Sequence, residues 1–72
     1  MTKSFIDYKM LGVLFRDRME YNEDTIRPLA KKLGVSKGTL ERMREGKGIA
    51  TIHYLIACDY VRISPMELSR VD

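Results

Sequence analysis

Seventy-two residues, 44% hydrophobic and 32% charged, are enough for one folded domain with a modest core, and they exclude both a multidomain chain and a disordered one. The formal net charge is +3, from 13 Lys and Arg against 10 Asp and Glu, which alone is a weak sign of a nucleic-acid partner. A single cysteine, Cys58, excludes an internal disulfide and favours a cytoplasmic setting; no signal-peptide h-region is visible near Met1, and no apolar run is long enough to cross a membrane.

In chain order, the spacing predicts a first helix from about Phe5 to Glu20. Tyr8, Leu11, Leu14, Phe15 and the stem of Arg18 form its apolar stripe, and Gly12 lowers its propensity. Tyr21 to Asp24 read as a polar break. Thr25 is the expected hydroxyl N-cap of a second helix, with Pro28 tolerated in its first turn and Ile26, Leu29, Ala30 and Leu33 facing inward. Gly34 is placed to end that helix in the left-handed conformation. Ser36 is the expected cap of a third helix, Lys37 to about Arg44, with Val35, Leu40 and Met43 turned to the core and Gly46 and Gly48 closing it. A fourth helix, about Thr51 to Val61, carries Ile52, Leu55, Ile56, Cys58 and Val61. Ser64-Pro65-Met66-Glu67 reads as a capping box that opens a short fifth helix through Leu68 to Val71. Every strong periodicity is near 3.6 residues, so the expected fold is all-α, with five helices and no sheet.

Charge is unevenly spread. Arg27, Lys31, Lys32, Lys37, Arg42, Arg44 and Lys47 are opposed over their segment only by Glu41 and Glu45, whereas Asp17, Glu20, Glu23 and Asp24 make the preceding segment acidic. A basic stripe confined to one segment is the electrostatic footprint of phosphate binding, although a solvated helix face carries the same charges. The stretch from Thr25 to Gly46 gives it a shape: two short helices, a tight glycine turn, and a second helix with a polar outer face. Small Ala30 lies where the two helices cross. A helix so presented enters the major groove N-terminal end first.

Leu29-Ala30, Leu33-Gly34-Val35-Ser36, Thr39-Leu40 and Gly46 together resemble the Cro/CI-type (XRE) helix-turn-helix family, and the likeness extends over about residues 5 to 70. Two positions depart from the family pattern: Ile26 stands where many members have Gln, and Arg44 where many have Glu. The resemblance implies a compact five-helix, lambda repressor-like domain spanning 1–72. It implies a sequence-specific, double-stranded DNA-binding transcriptional regulator of repressor type, of the kind carried by phages and prophages and working at the bacterial nucleoid. Carried over by position, Lys37, Gly38, Thr39, Glu41 and Arg42 are the expected base readers, since Arg and Lys match guanine and Glu can accept from cytosine. Gly38 reads nothing by side chain and instead allows close backbone approach. Thr25, Arg27, Lys31, Arg44 and Lys47 are the expected phosphate contacts. So small a module is compatible with a homodimer on a palindromic operator.

Other residues carry less. His53 has neither a second histidine nor a cysteine pair nearby, so no metal is expected. Cys58 reads as core. Glu23 and Asp24 read as loop charges, and no nucleophile, base and orienting group occur together, so neither an enzyme nor a cofactor is expected. The alternative function is a protein-interaction module on the same fold, such as a phage antirepressor that binds and inactivates a partner repressor. Ile26, the acids Glu41 and Glu45, and the acidic end of the first helix favour it.

Overall fold

The computed structural model describes residues 4–71. Four α-helices make up most of it: α1 (Tyr8–Asn22), α2 (Ile26–Leu33), α3 (Lys37–Glu45) and α4 (Thr51–Val61). The fold is therefore all-α in character, with two corrections to the expected five helices and no sheet. The Ser64 capping box opens only a four-residue 3-10 turn, Pro65–Leu68, because the chain becomes extended directly after it. That extension, β2 (Ser69–Val71), pairs antiparallel with β1 (Ser4–Ile6), Phe5 opposite Arg70. The box itself closes in part: Glu67 Oε2 accepts from the Ser64 N–H at 2.9 Å, while Ser64 Oγ serves Met66 N at 3.3 Å.

Because β1 takes Ser4 to Ile6, α1 begins later than its periodicity predicts. Asp7 caps it through Oδ1, which accepts from Met10 N at 3.0 Å. It also continues through Tyr21 and Asn22 and ends on Glu23 at φ 57°. Thr25 stands at the N-cap of α2 with extended backbone, but its hydroxyl makes no cap bond. Pro28 supplies the reason: it occupies the third helical position and has no N–H, which removes one of the two donors an N-cap oxygen serves. Ser36 has no such obstacle and accepts from Thr39 N at 3.1 Å. Gly34 (φ 73°) and Gly46 (φ 74°) end α2 and α3 as left-handed C-caps. The N–H of Val35 then reaches back to Ala30 O, and that of Lys47 to Arg42 O.

The core sits where α1 crosses α3 and α4, with Leu11, Phe15, Leu29, Leu40, Met43, Ala57, Cys58 and Leu68 almost wholly buried. On α4 the inward stripe is Tyr54, Ala57, Cys58 and Val61. Ile52 and Leu55 are exposed, and Ile56 is half-buried. Cys58 is buried and reduced, and burial pushes its thiol pKa up. Gly12 explains its place in α1. A Cβ there would stand 2.7 Å from Gly46 N and 2.9 Å from Gly46 Cα, so α1 and the end of α3 touch backbone to backbone. That contact sets how far α3 stands off the core. Among the described residues no helix is long and apolar enough to cross a membrane.

Candidate nucleic-acid interface

The turn Gly34-Val35-Ser36 sets α3 across α2, with Leu40 and Met43 buried beneath it. The outer side of α3 presents Lys37, Gly38 and Arg42 exposed, and Thr39 and Glu41 half-buried. These five expected base readers thus lie together along the first two turns. Their chemistry differs from one to the next. Lys37 Nζ lies 4.0 Å from Glu41 Oε1, one turn on, and each charge offsets the other at the helix surface. Thr39 Oγ1 accepts from Ser36 Oγ at 2.9 Å, so its hydroxyl belongs to the cap. Arg42 turns toward the loop after α3, where Nε and Nη2 donate to the Gly48 carbonyl at 3.2 and 2.7 Å.

The expected phosphate contacts divide by place. Thr25, Arg27 and Arg44 line one open groove of about 630 Å³ together with Lys37, the apolar Met19, Ile26 and Pro28, and one acid, Asp24, whose carboxylate accepts from the Tyr60 hydroxyl. It runs between the start of α2 and α3. Lys47 lies beyond the far end of α3, 3.4 Å from Glu45 Oε2. Lys31 is exposed in the last turn of α2 and lines neither this groove nor the hollow beside Arg44. Ile26, half-buried, packs against the core from this groove.

Arg44 is the unusual member. It is half-buried, and Nε is shut off from solvent with no hydrogen-bond partner among the described residues. On its other side lies a second hollow formed with Arg16, Glu41 and Glu45, yet no described carboxylate comes within ion-pairing distance of it. An arginine N–H withdrawn from water and left without an acceptor costs free energy that an incoming anion within its reach would return.

Helix ends add to the same field. α1 and α3 are capped by side chains, Asp7 and Ser36; α2 and α4 are not, and neither carries an acid in its first turn. The first N–H groups of α2 and α4 therefore remain free of side-chain acceptors at the positive ends of two helix dipoles. α2 opens into the groove beside Arg27 and Arg44, and α4 follows the loop that carries Lys47.

Three features are absent from the sequence reading. Arg16 approaches Arg44 from α1, the Arg42 guanidinium holds the Gly48 carbonyl, and Asp24 accepts a hydrogen bond from the Tyr60 hydroxyl. Asn22 Nδ2 also reaches Tyr60 Oη, at 3.5 Å, and the Tyr60 ring lies 4.9 Å from that of Phe15. The turn before α2 is thereby tied to α4. Only the Arg42 link has a signal in sequence, an arginine six residues before a glycine, and that signal is too common to use. His53 is half-buried on α4, and the described residues contain no cluster of His, Cys, Asp and Glu able to hold a metal. Compared with known proteins, the chain matches no protein-family model and no curated protein.

Proposed function

We propose that the chain is a double-stranded DNA-binding regulator of the Cro/CI helix-turn-helix kind, with α3 as its recognition helix. The observation that carries the reading is Arg44: a half-buried arginine whose Nε is shut off from solvent without a partner, in a groove shared with Arg27, Lys37 and the uncapped start of α2. Charge and free amides converge there beside the outer face of α3. A phosphate is the anion that fits both, and a phosphate there would seat α3 against a groove of the duplex. In this reading Arg27, Arg44, Lys47 and the amides of Thr25's turn hold backbone phosphates. Lys37 and Glu41 exchange their mutual ion pair for base edges.

The test is binding of duplex DNA against salt concentration, with sequences recovered from a randomised library. Specific binding with a steep salt dependence is expected. Arg44→Ala should weaken all sequences alike and lower the salt slope by about one unit. A chain that binds no duplex under any salt condition sinks the proposal.

One observation favours the alternative, capture of a partner repressor. The Lys37–Glu41 pair leaves the exposed start of α3 with little net charge, as a protein-binding face would have. Failure to bind DNA together with saturable binding to a purified repressor would establish that reading instead.

A further inference from the structure

The groove between the start of α2 and α3 has two chemical characters. Its rim is basic: Arg27 and Lys37 are exposed and Arg44 is half-buried, set against one acid, Asp24, which the Tyr60 hydroxyl already engages. Its floor is apolar. Met19 of α1 lies at the base, and Ile26 and Pro28 of α2 meet it there, the first half-buried and the second exposed. A backbone phosphate uses the rim alone and has nothing to set against the Ile26 side chain or the Pro28 ring. An occupant that satisfies both parts carries negative charge around a large apolar group. The groove is also open to solvent, whereas sites for small ligands enclose most of their occupant, so it suits a segment of protein chain laid along it.

We propose that this groove docks an acidic segment of a partner protein, a stretch rich in glutamate or aspartate with one large apolar side chain. That side chain rests on Met19, Ile26 and Pro28 while the carboxylates meet Arg27, Lys37 and Arg44. An apolar anchor within a charged rim is the ordinary anatomy of a protein interface. The cations are free for it. Arg44 Nε has no acceptor among the described residues, and no described carboxylate lies within ion-pairing distance of the guanidinium. Lys37 holds Glu41 only at 4.0 Å on an exposed helix surface and exchanges that pair at little cost. The regulatory consequence rests on the nucleic-acid reading above: a segment seated here takes the phosphate positions, so the partner and duplex DNA exclude one another.

The test uses the whole chain and a labelled peptide in which glutamates flank a phenylalanine, with two control peptides, phenylalanine replaced by serine and glutamates replaced by glutamine. Saturable binding is expected, with shifts of the Met19 and Ile26 methyl signals that charge attraction alone would not move. Removing the phenylalanine should weaken the peptide by about tenfold or more. Arg27→Gln should weaken it by about threefold, and Lys32→Gln, the same charge change on an exposed residue of α2 outside the groove, should not. The peptide should also displace bound duplex. Equal affinity for the serine peptide overturns the inference, as do equal losses from Arg27→Gln and Lys32→Gln, or peptide and duplex bound together without competition. A chain that binds duplex but no peptide overturns the inference and leaves the nucleic-acid reading standing. One that binds the peptide through the groove but no duplex establishes the docking site and overturns the nucleic-acid reading.

Discussion

Tyr60 shows how much a single side chain decides. Its hydroxyl donates to Asp24 and its ring packs on Phe15, so one residue of α4 fixes the turn that aims α2. Burial, and then the bond to Asp24, push its pKa up to about 12; Tyr54 is pushed to about 12 as well, by burial first. Both phenols are thus held protonated more firmly in the fold than in the unfolded chain, which loses its protons near pH 10. Between those values the unfolded state binds fewer protons, so stability falls as pH rises. The contribution is complete below pH 10 and lost on the way to 12. Thermal melts across that range should show the decline, and Tyr60→Phe should flatten part of it; an equally steep decline in the variant would place the titration elsewhere. Lys37 makes a different point. It is exposed and its partner Glu41 is worth only a few tenths of a kcal/mol at a helix surface. Lys37→Ala should leave the melting temperature nearly unchanged and, on the DNA-binding proposal, weaken a preferred site by about 1–3 kcal/mol if it reads a base. A uniform loss over all sequences would assign it to phosphate.

At the scale of elements, the parts legible in the sequence are those set by local chemistry. Ser36 caps because Thr39 N lies within reach of its hydroxyl, and Gly34 ends α2 because only a residue without Cβ enters that conformation freely. Ser36→Ala should cost about 1 kcal/mol. Gly34→Val should cost about 1–2 kcal/mol from backbone strain alone, since the space around Gly34 is open. Denaturant titrations check both, and an unperturbed Gly34→Val would mean that the turn relaxes into another shape. Where a second local rule intervenes, the first fails: Thr25 has the residue type of a cap, but Pro28 takes away a donor. The four helices are legible for the same local reasons. The exposure of Ile52 and Leu55 is not legible, because apolar spacing identifies an amphipathic face but not whether another element reaches it. The ribbon is misread because its partners lie at opposite ends of the chain, and no window along the sequence contains both. Phe5 and Ile6 continue the spacing of α1 well enough to look like its first turn.

At the scale of the whole molecule, the candidate interface is a product of packing. The basic stripe is visible as composition, yet only the fold shows that Arg44 is half-buried and unpaired while Lys31 stands apart. Arg16 joins Arg44 because α1 lies across α3, which charge counting over a segment cannot reveal. That crossing depends on Gly12. Gly12→Ala would drive a methyl group into the main chain of Gly46, which has no rotamer with which to yield. Overpacking of this kind costs about 1–3 kcal/mol or more. The loss should appear as a lower urea midpoint; on the DNA-binding proposal it is accompanied by weaker binding than stability alone explains, because α3 itself must tilt. An unchanged midpoint would show that the helices separate at no cost.

The encounter of Gly12 with Gly46 also restricts how this chain can change over time. A clash with a side chain is repaired by trimming that side chain elsewhere, and such pairs drift together. Here each absent Cβ is replaced by its neighbour's main chain: Gly46 N and Cα face Gly12, and Tyr8 O and Lys9 Cα face Gly46 at 3.1 Å. Nothing remains to trim. Suppressors of Gly12→Ala selected for restored folding should therefore fall at scattered positions that raise overall stability, and not at residue 46. Descendants of this sequence are free to rewrite the outer face of α3. They keep both glycines for as long as they keep the crossing.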